Sequence, residues 1–309
     1  MRAIRLNEYG SVDKLKLENI PRPEPKDKEI LIKVHAAGIN PVDWKIIEGK
    51  ASDKFPIKLP ITPGWDLAGV IEEVGKSVKS FRAGDEVFCK PDLDRDGAYA
   101  EFIVVPEHIV SYKPTNISFT DAASVPLAGL TAWQGLFQYG NLKKGEKVLI
   151  HAASGGVGSL AVQFAKSKGA YVIGTCSTDN VSFVNKLGAD EVIDYTKQNF
   201  EDDLKEIDLV FDTIGGETQQ KSLLVLKEGG RLISIVGAQF EQEAKAKNIR
   251  LEAFMSKPNK SQLDEIAALI QDGSVIPAVS GVYSLEETAQ ALRESANGHV
   301  RGKLVLRVF

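Results

Sequence analysis

KVLIHAASGGVGSLAVQFAKSKGA, residues 147–170, is the stretch whose reading decides the fold. The apolar run KVLIHAAS reads as a strand, and GVGSLAVQFAKSKG carries the spacing of an amphipathic helix. Between them Ala153, Gly155 and Gly158 occupy the three positions of a GxGxxG turn, the arrangement that binds a dinucleotide when a strand precedes it and a helix follows. Gly155 lets the backbone approach a pyrophosphate, and Gly158 lets the helix pack on the strand. The helix N-terminus offers free N–H groups and the positive end of its dipole. Ala153 departs from glycine at the first position. A turn that only joins strand to helix is the plainer reading, and the flanking elements favour the dinucleotide.

The next strand, YVIGTCST, bears on the choice of cofactor. NAD-binding folds place an Asp or Glu at its end for the ribose 2′-hydroxyl. Here that end reads Thr175, Cys176 and Ser177, so no carboxylate there repels a 2′-phosphate and Ser177 can donate to it. NADPH is expected over NADH. Asp179, and the lack of Lys or Arg over residues 175–182, weigh the other way.

Working outward, strands and helices alternate from about residue 120. The stretch DAASVPLAGLTAWQGLFQYG opens the region as an amphipathic helix. After the turn come AYVIGTCS (strand), DNVSFVNKLG (helix), DEVID (strand), DLVFDTIGG (strand and turn), TQQKSLLVLKEG (helix), RLISIVG and RLEAFM (strands). Nearly all-apolar strands alternating with helices predict a parallel sheet covered on both faces, a doubly wound domain. The first third instead shows short strands broken by Gly, Pro and Asp (EILIKVHAAG, DLAGVIEEVG, DEVFCK, AYAEFIVVP), the rhythm of a partly open β-barrel. One helix interrupts it over residues 40–49: Asn40 can cap, Pro41 takes the first helical position, and Asp43 falls in the first turn. The tail, with helices QLDEIAALIQDG and SLEETAQALRESANG and the strand KLVLRVF, is expected to return to the first domain. The expected division is 1–121, 122–256 and 257–309.

Composition bounds the function classes. With 309 residues, 43% hydrophobic and 26% charged, the chain suits a two-domain globular protein. The net charge of −4 is spread along the chain, leaving no basic face for nucleic acid. No run approaches the ~20 apolar residues of a membrane span, and MRAIRLNEYG lacks the apolar core of a signal peptide, so a cytoplasmic location is expected. Cys89 and Cys176 lie far apart, and His35, His108, His151 and His299 show no paired spacing. No metal site is read from them.

The chain resembles the zinc-independent quinone oxidoreductase branch of the medium-chain dehydrogenase/reductase superfamily. The resemblance runs end to end, through AAGINPVDWKIIEG (36–49), PGWDLAGVIEEVG (63–75), GDEVF (84–88), GAYAEF (97–102), AGLTAWQGL (128–136), AASGGVG (152–158), LGADEVIDY (187–195) and GHVRGKLVL (298–306). It implies an α/β protein with a GroES-like β-barrel catalytic domain, a doubly wound Rossmann domain, and a cleft between them for nicotinamide and substrate. It also implies that no zinc is bound. Zinc alcohol dehydrogenases of this superfamily carry a Cys where Asn40 stands and a His where Trp65 stands, with a four-Cys lobe where CKPDLDRDGAYA holds only Cys89.

Position by position, the resemblance makes Asn40 and Thr131 neighbours of the nicotinamide and Gly155, Gly156 and Val157 the pyrophosphate turn. Ser177 and Tyr195 would flank the 2′-phosphate, and Ile214, Val236 and Lys303 would line the remaining cofactor. Duller roles compete: Asn40 as a helix cap, Thr131 as a helix-interior residue, Tyr195 packed on a loop, Trp44 and Trp65 as packing residues, Lys45 as a solvated charge. A basic residue common in the family near Asn180 is absent. The expected reaction is direct hydride transfer from NADPH to a quinone, with an enone or alkenal reductase and a non-catalytic NADPH-binding sensor or structural protein as alternatives. No catalytic residue is named. A homodimer is expected, through the strand RLEAFM.

Overall fold

The computed structural model describes residues 1–50 and 57–309. The chain divides into two compact units, residues 1–130 with 257–273 and 277–309, and residues 131–256 with 274–276. Among the described residues no helix is long and apolar enough to cross a membrane.

The second unit is built on six parallel strands: β1 (Lys147–Ile150), β2 (Tyr171–Cys176), β3 (Glu191–Asp194), β4 (Ile207–Asp212), β5 (Leu226–Ser234) and β6 (Arg250–Ala253). Their order across the sheet is β3-β2-β1-β4-β5-β6. The chain starts in the middle, runs to one edge, then returns to build the other half. This is the doubly wound Rossmann arrangement, which gathers the carboxyl ends of all six strands at one edge. Buried Leu149, Ile173, Ile193, Val210 and Leu232 supply the apolar core of the strands.

Two of the predicted helices differ from the sequence reading. The predicted helix TQQKSLLVLKEG ends early: the helix is Gly216–Ser222, and β5 already begins at Leu226. Leu223 and Val225 are drawn into the core, and Gly229 turns the chain at φ +74°, a conformation that breaks a helix. The predicted helix of residues 121–140 is three pieces, Phe119–Ala123, Pro126–Trp133 and a π-helical turn Gln134–Tyr139. It is not amphipathic, because residues 128–136 are buried on every face.

In the first unit the strand Glu29–Gly38 is the hub. It pairs antiparallel with Leu67–Val74, Phe102–Pro106 and Lys303–Arg307, and the strand Val279–Ser284 adds parallel to the last of these. A helix, Pro41–Ile47, leaves the hub with Pro41 at its start, and the Asn40 N–H donates to Asp43 Oδ2 (2.7 Å).

Two buried titratable groups set opposite pH dependences. Asp43 is fully buried, and this burial, opposed by hydrogen bonds from Tyr99 and Asn40, raises its pKa to about 7. Its Oδ2 accepts from Tyr99 Oη (2.6 Å), while Oδ1 has no partner among the described residues. His151, at the end of β1, pairs through Nε2 with Ser222 Oγ (2.9 Å) and through Nδ1 with Thr175 Oγ1 (3.1 Å). Ser222 spends its own proton on Thr218 O (2.6 Å), so Nε2 carries the ring proton and Nδ1 accepts from Thr175. Burial lowers the His151 pKa to about 4.

Three stability measurements follow. Gly158→Ala would set a methyl 2.2 Å from Ala152 O, whereas Gly155→Ala meets only the same oxygen at 3.4 Å. Urea unfolding is expected to show a loss of roughly 1–3 kcal/mol for the first and less than about 1 kcal/mol for the second; equal losses would contradict this packing. The folded state holds the Asp43 proton up to about pH 7 and the unfolded chain releases it near 3.8, so this group's contribution to stability falls as pH rises through that window. Asp43→Asn removes the fall, so its stability should gain on wild type by up to about 1.4 kcal/mol per pH unit across the window. Parallel pH profiles for the two proteins would refute this. His151 acts with the opposite sign: the unfolded chain takes up its proton first, so stability is lost as pH falls from 6.5 towards about 4, and His151→Gln flattens that loss.

Candidate functional site

The turn after β1 is held from three sides. His151 N donates to Phe211 O (3.1 Å), Ala153 N to Thr175 O (2.9 Å) and Gly155 N to Ala152 O (2.9 Å). Ala152 sits at φ +48°, a left-handed conformation costly for a residue with a Cβ. Ala153 is tolerated at the first fingerprint position because it faces Gly174: a Cβ on Gly174 would lie 2.8 Å from the Ala153 Cβ. The helix Gly156–Ser167 then starts at Gly155 with no side-chain cap, leaving its first-turn N–H groups for a ligand. On the side a Gly155 Cβ would fill, only Ala152 O lies within 4 Å, at 3.4 Å. Free N–H groups with no side chain over them suit an anionic group such as a phosphate.

Along the same carboxyl edge, strands β3 to β6 are each followed within two residues by an exposed large apolar side chain. Tyr195 is 55% exposed, Ile214 52%, Val236 38% and Met255 45%. The loops of Tyr195, Ile214 and Val236 are each fixed from below by a polar group at a strand end. Asp212, fully buried, accepts from the N–H groups of Ile214 (2.9 Å) and Gly215 (2.8 Å) through Oδ1. Its Oδ2 accepts from Gln219 Nε2 (2.8 Å) and Ser234 Oγ (2.9 Å), and Ser234 Oγ accepts from Val236 N (3.2 Å). One carboxylate thus positions the loops of both Ile214 and Val236.

Asp194 does the same at the end of β3. It accepts from Thr178 Oγ1 (2.6 Å) and Thr196 Oγ1 (2.7 Å) and pairs with Lys197 Nζ (3.1 Å). These bonds, that of Thr178 first, hold its pKa well below the usual carboxylate range. Tyr195 N donates to Cys176 O (3.2 Å), and Ser177 Oγ accepts from Asn180 Nδ2 (3.0 Å), so Ser177 and Tyr195 stand on adjoining strand ends.

The predicted residues therefore fall into two groups. Gly155, Gly156, Val157, Ser177, Tyr195, Ile214 and Val236 share the carboxyl edge of the second unit's sheet. Thr131 belongs to that unit too; it is buried in the helix Pro126–Trp133 and its Oγ1 donates to Ser256 Oγ (2.8 Å). Asn40 and Lys303 lie in the first unit and are directly bonded. The Lys303 ammonium donates to Asn40 Oδ1, to Ile39 O (2.7 Å) and to Asp66 Oδ2 (3.3 Å). Asp66, fully buried, also accepts from Asn40 Nδ2 (3.2 Å) and Leu127 N (3.2 Å). Burial raises its pKa, and Lys303 opposes the rise.

Sequence reasoning missed Met255, Asp66, Asp194 and Asp212. The last two close their strands in VIDY and VFDT, a signal that was present but read only as strand ends. Trp65 is a core residue, fully buried with its Nε1 donating to Arg95 O (3.3 Å). The Lys45 ammonium lies 5.4 Å from the Trp44 ring centre. Among the described residues, no group of three or more His, Cys, Asp or Glu side chains is placed to hold a metal ion.

Comparison with known proteins agrees with this architecture. Residues 26–115 match the family model for the alcohol dehydrogenase GroES-like domain, and residues 187–306 match that for zinc-binding dehydrogenases. The chain is 38% identical to 2-methylene-furan-3-one reductase of Solanum lycopersicum, over 99% of this chain and 79% of that protein. It is 36% identical to quinone oxidoreductase of Homo sapiens, over 99% of this chain and 97% of that one. Its fold superposes on the quinone oxidoreductase of Coxiella burnetii with a TM-score of 0.92 at 35% identity, covering 100% of this chain and 99% of that one. The chain belongs to the quinone oxidoreductase branch of the medium-chain dehydrogenase/reductase superfamily, a family of pyridine-nucleotide-dependent oxidoreductase enzymes.

Proposed function

We propose that this chain is an NADPH-dependent reductase that transfers a hydride directly to a quinone, without zinc. The observation that carries the reading is the carboxyl edge of the second unit. An uncapped helix N-terminus and the Gly155 turn lie on the same edge as Tyr195, Ile214, Val236 and Met255, whose apolar surfaces are exposed. A dinucleotide would cover that apolar rim and place its pyrophosphate against the turn.

When bound, NADPH supplies the hydride. The chain's own residues hold it: first-turn N–H groups at Gly156 and Val157 for the pyrophosphate, Ser177 and Tyr195 for the 2′-phosphate, Ile214 and Val236 for the apolar faces. Lys197, beside Asp194 and the Thr178 hydroxyl, supplies a cation near the strand end that lacks one at residues 175–182. Independence from zinc rests on the donor set. Asn and Trp do not replace thiolate and imidazole, and the oxygens of Asn40 and Asp66 are engaged by the Lys303 ammonium.

A second reading, reduction of an enone double bond, is favoured by the 38% identity to an enzyme named 2-methylene-furan-3-one reductase. Both readings share cofactor and hydride step. We also propose a cytoplasmic homodimer in which a second copy adds to β6, which lies at the edge of its sheet.

A panel of NADPH and NADH against benzoquinones and short enones tests the reading on metal-free protein. NADPH should be the better donor, with turnover of at least one acceptor class and no stoichiometric zinc in the purified protein. Oxidation of neither nucleotide by either class would sink it. Ser177→Asp sets a carboxylate where the 2′-phosphate is expected, and should shift the NADPH/NADH preference towards NADH by roughly tenfold or more; an unchanged ratio would mean that Ser177 does not face the ribose.

A further inference from the structure

Among the described residues His151 is the only buried histidine, and all of its contacts lie within the second unit. It directly follows β1 and precedes the left-handed Ala152. Its bonds reach three of the segments that carry the predicted nucleotide residues. Nδ1 accepts from Thr175 Oγ1 (3.1 Å), two residues before Ser177, and Thr175 O in turn accepts from Ala153 N of the turn (2.9 Å). Nε2 donates to Ser222 Oγ (2.9 Å), on the helix Gly216–Ser222 that follows the Ile214 loop. The His151 carbonyl accepts from Thr213 Oγ1 (2.9 Å), the residue before Ile214. Phe200 stands edge-on to the imidazole, with ring centres 4.8 Å apart.

An apolar side chain of similar size would fill the same space. Two hydrogen bonds gain a buried imidazole little stability over such a side chain, because each bond must first offset the desolvation of its own partners. What the imidazole adds is direction. One nitrogen accepts and the other donates, so Thr175 and Ser222 are each held at one corner of the ring, and both are held relative to the turn that begins at the next residue. The ring keeps its acceptor at neutral pH: burial lowers its pKa to about 4, and the carboxylates of Asp212 and Glu201 oppose the fall. Glu201 is itself paired with Lys221 Nζ (2.9 Å).

We infer that His151 is a positioning residue for the nucleotide: its imidazole locks the end of β2 and the helix Gly216–Ser222 against the phosphate turn. It touches no part of the nucleotide itself. The Thr175 arm sets the distance between the turn and Ser177, and so between the sites for the pyrophosphate and the 2′-phosphate. The Ser222 arm sets the distance between the turn and the Ile214 loop, further along the dinucleotide. This rests on the nucleotide reading above and assigns the two arms to different parts of the ligand.

Calorimetric titration of the intact protein with adenosine 2′,5′-bisphosphate and with NADPH separates the arms. Thr175→Val keeps the shape of residue 175 and removes the hydroxyl that donates to Nδ1, whereas Thr175→Ser keeps the hydroxyl. Thr175→Val should weaken binding of the bisphosphate by roughly fivefold or more, the loss of about one buried hydrogen bond, and Thr175→Ser should bind it within about twofold of wild type. Ser222→Ala should leave the bisphosphate affinity in place and weaken NADPH alone. His151→Asn, whose amide oxygen can still accept from Thr175, should follow Ser222→Ala. A histidine that only fills the core gives a different pattern, lower melting temperatures with both affinities unchanged, and that pattern would overturn the assignment. Equal weakening of the bisphosphate in Thr175→Val and Ser222→Ala would overturn it as well. Wild-type protein that binds neither ligand would overturn the nucleotide reading and this inference with it; wild-type binding that Thr175→Val leaves unaltered overturns only the role of His151.

Discussion

The contact between Gly158 and the Ala152 carbonyl governs everything built on the second unit. A Cβ at residue 158 would lie 2.2 Å from that oxygen, so the helix Gly156–Ser167 reaches β1 only because residue 158 has none. The approach is completed by Ala152 in a left-handed conformation and by Ala153 packed over Gly174. Together they aim the helix N-terminus along the carboxyl edge of the sheet. A helix held further off would present its N–H groups elsewhere, and the exposed side chains of Tyr195, Ile214, Val236 and Met255 would no longer share an edge with an anion site.

The first unit handles charge in a different way. Asp43 and Asp66 are both fully buried, and each is kept by hydrogen bonds rather than by water. Asp66 holds a lysine ammonium together with the Asn40 amide, so the positive charge at this point is a side chain of the chain itself. Asp43, whose pKa rises to about 7, is partnered by Tyr99 and the Asn40 backbone through one oxygen only. Buried charge of this kind costs stability and gives specific geometry in return. Here the geometry fixes Asn40 and Lys303.

Much of this was legible because backbone demands leave marks in sequence. A strand, a turn of small residues and an amphipathic helix can be read from residues 147–170 alone, and the alternation that follows predicts a parallel sheet. What stayed hidden depends on packing. The helix Glu241–Ala246 buries only Ala244 and has no periodic signal. The helix Gly216–Ser222 stops where Leu223 and Val225 turn into the core, which composition does not reveal. In the site, glycines and the missing carboxylate at Ser177 were readable as local features. Met255 was not, since a lone Met after a strand looks like any core residue, and it matters only because it is exposed on the same edge as three others.

The central claim is that a dinucleotide docks on the carboxyl edge of the six-stranded sheet. Deuterium exchange of the intact protein, with and without saturating NADPH, tests it most directly. The account predicts slower exchange at residues 155–158, 194–197, 213–216 and 235–238, the turn and the loops that carry Tyr195, Ile214 and Val236. Unchanged exchange across those four segments under saturating nucleotide would contradict it.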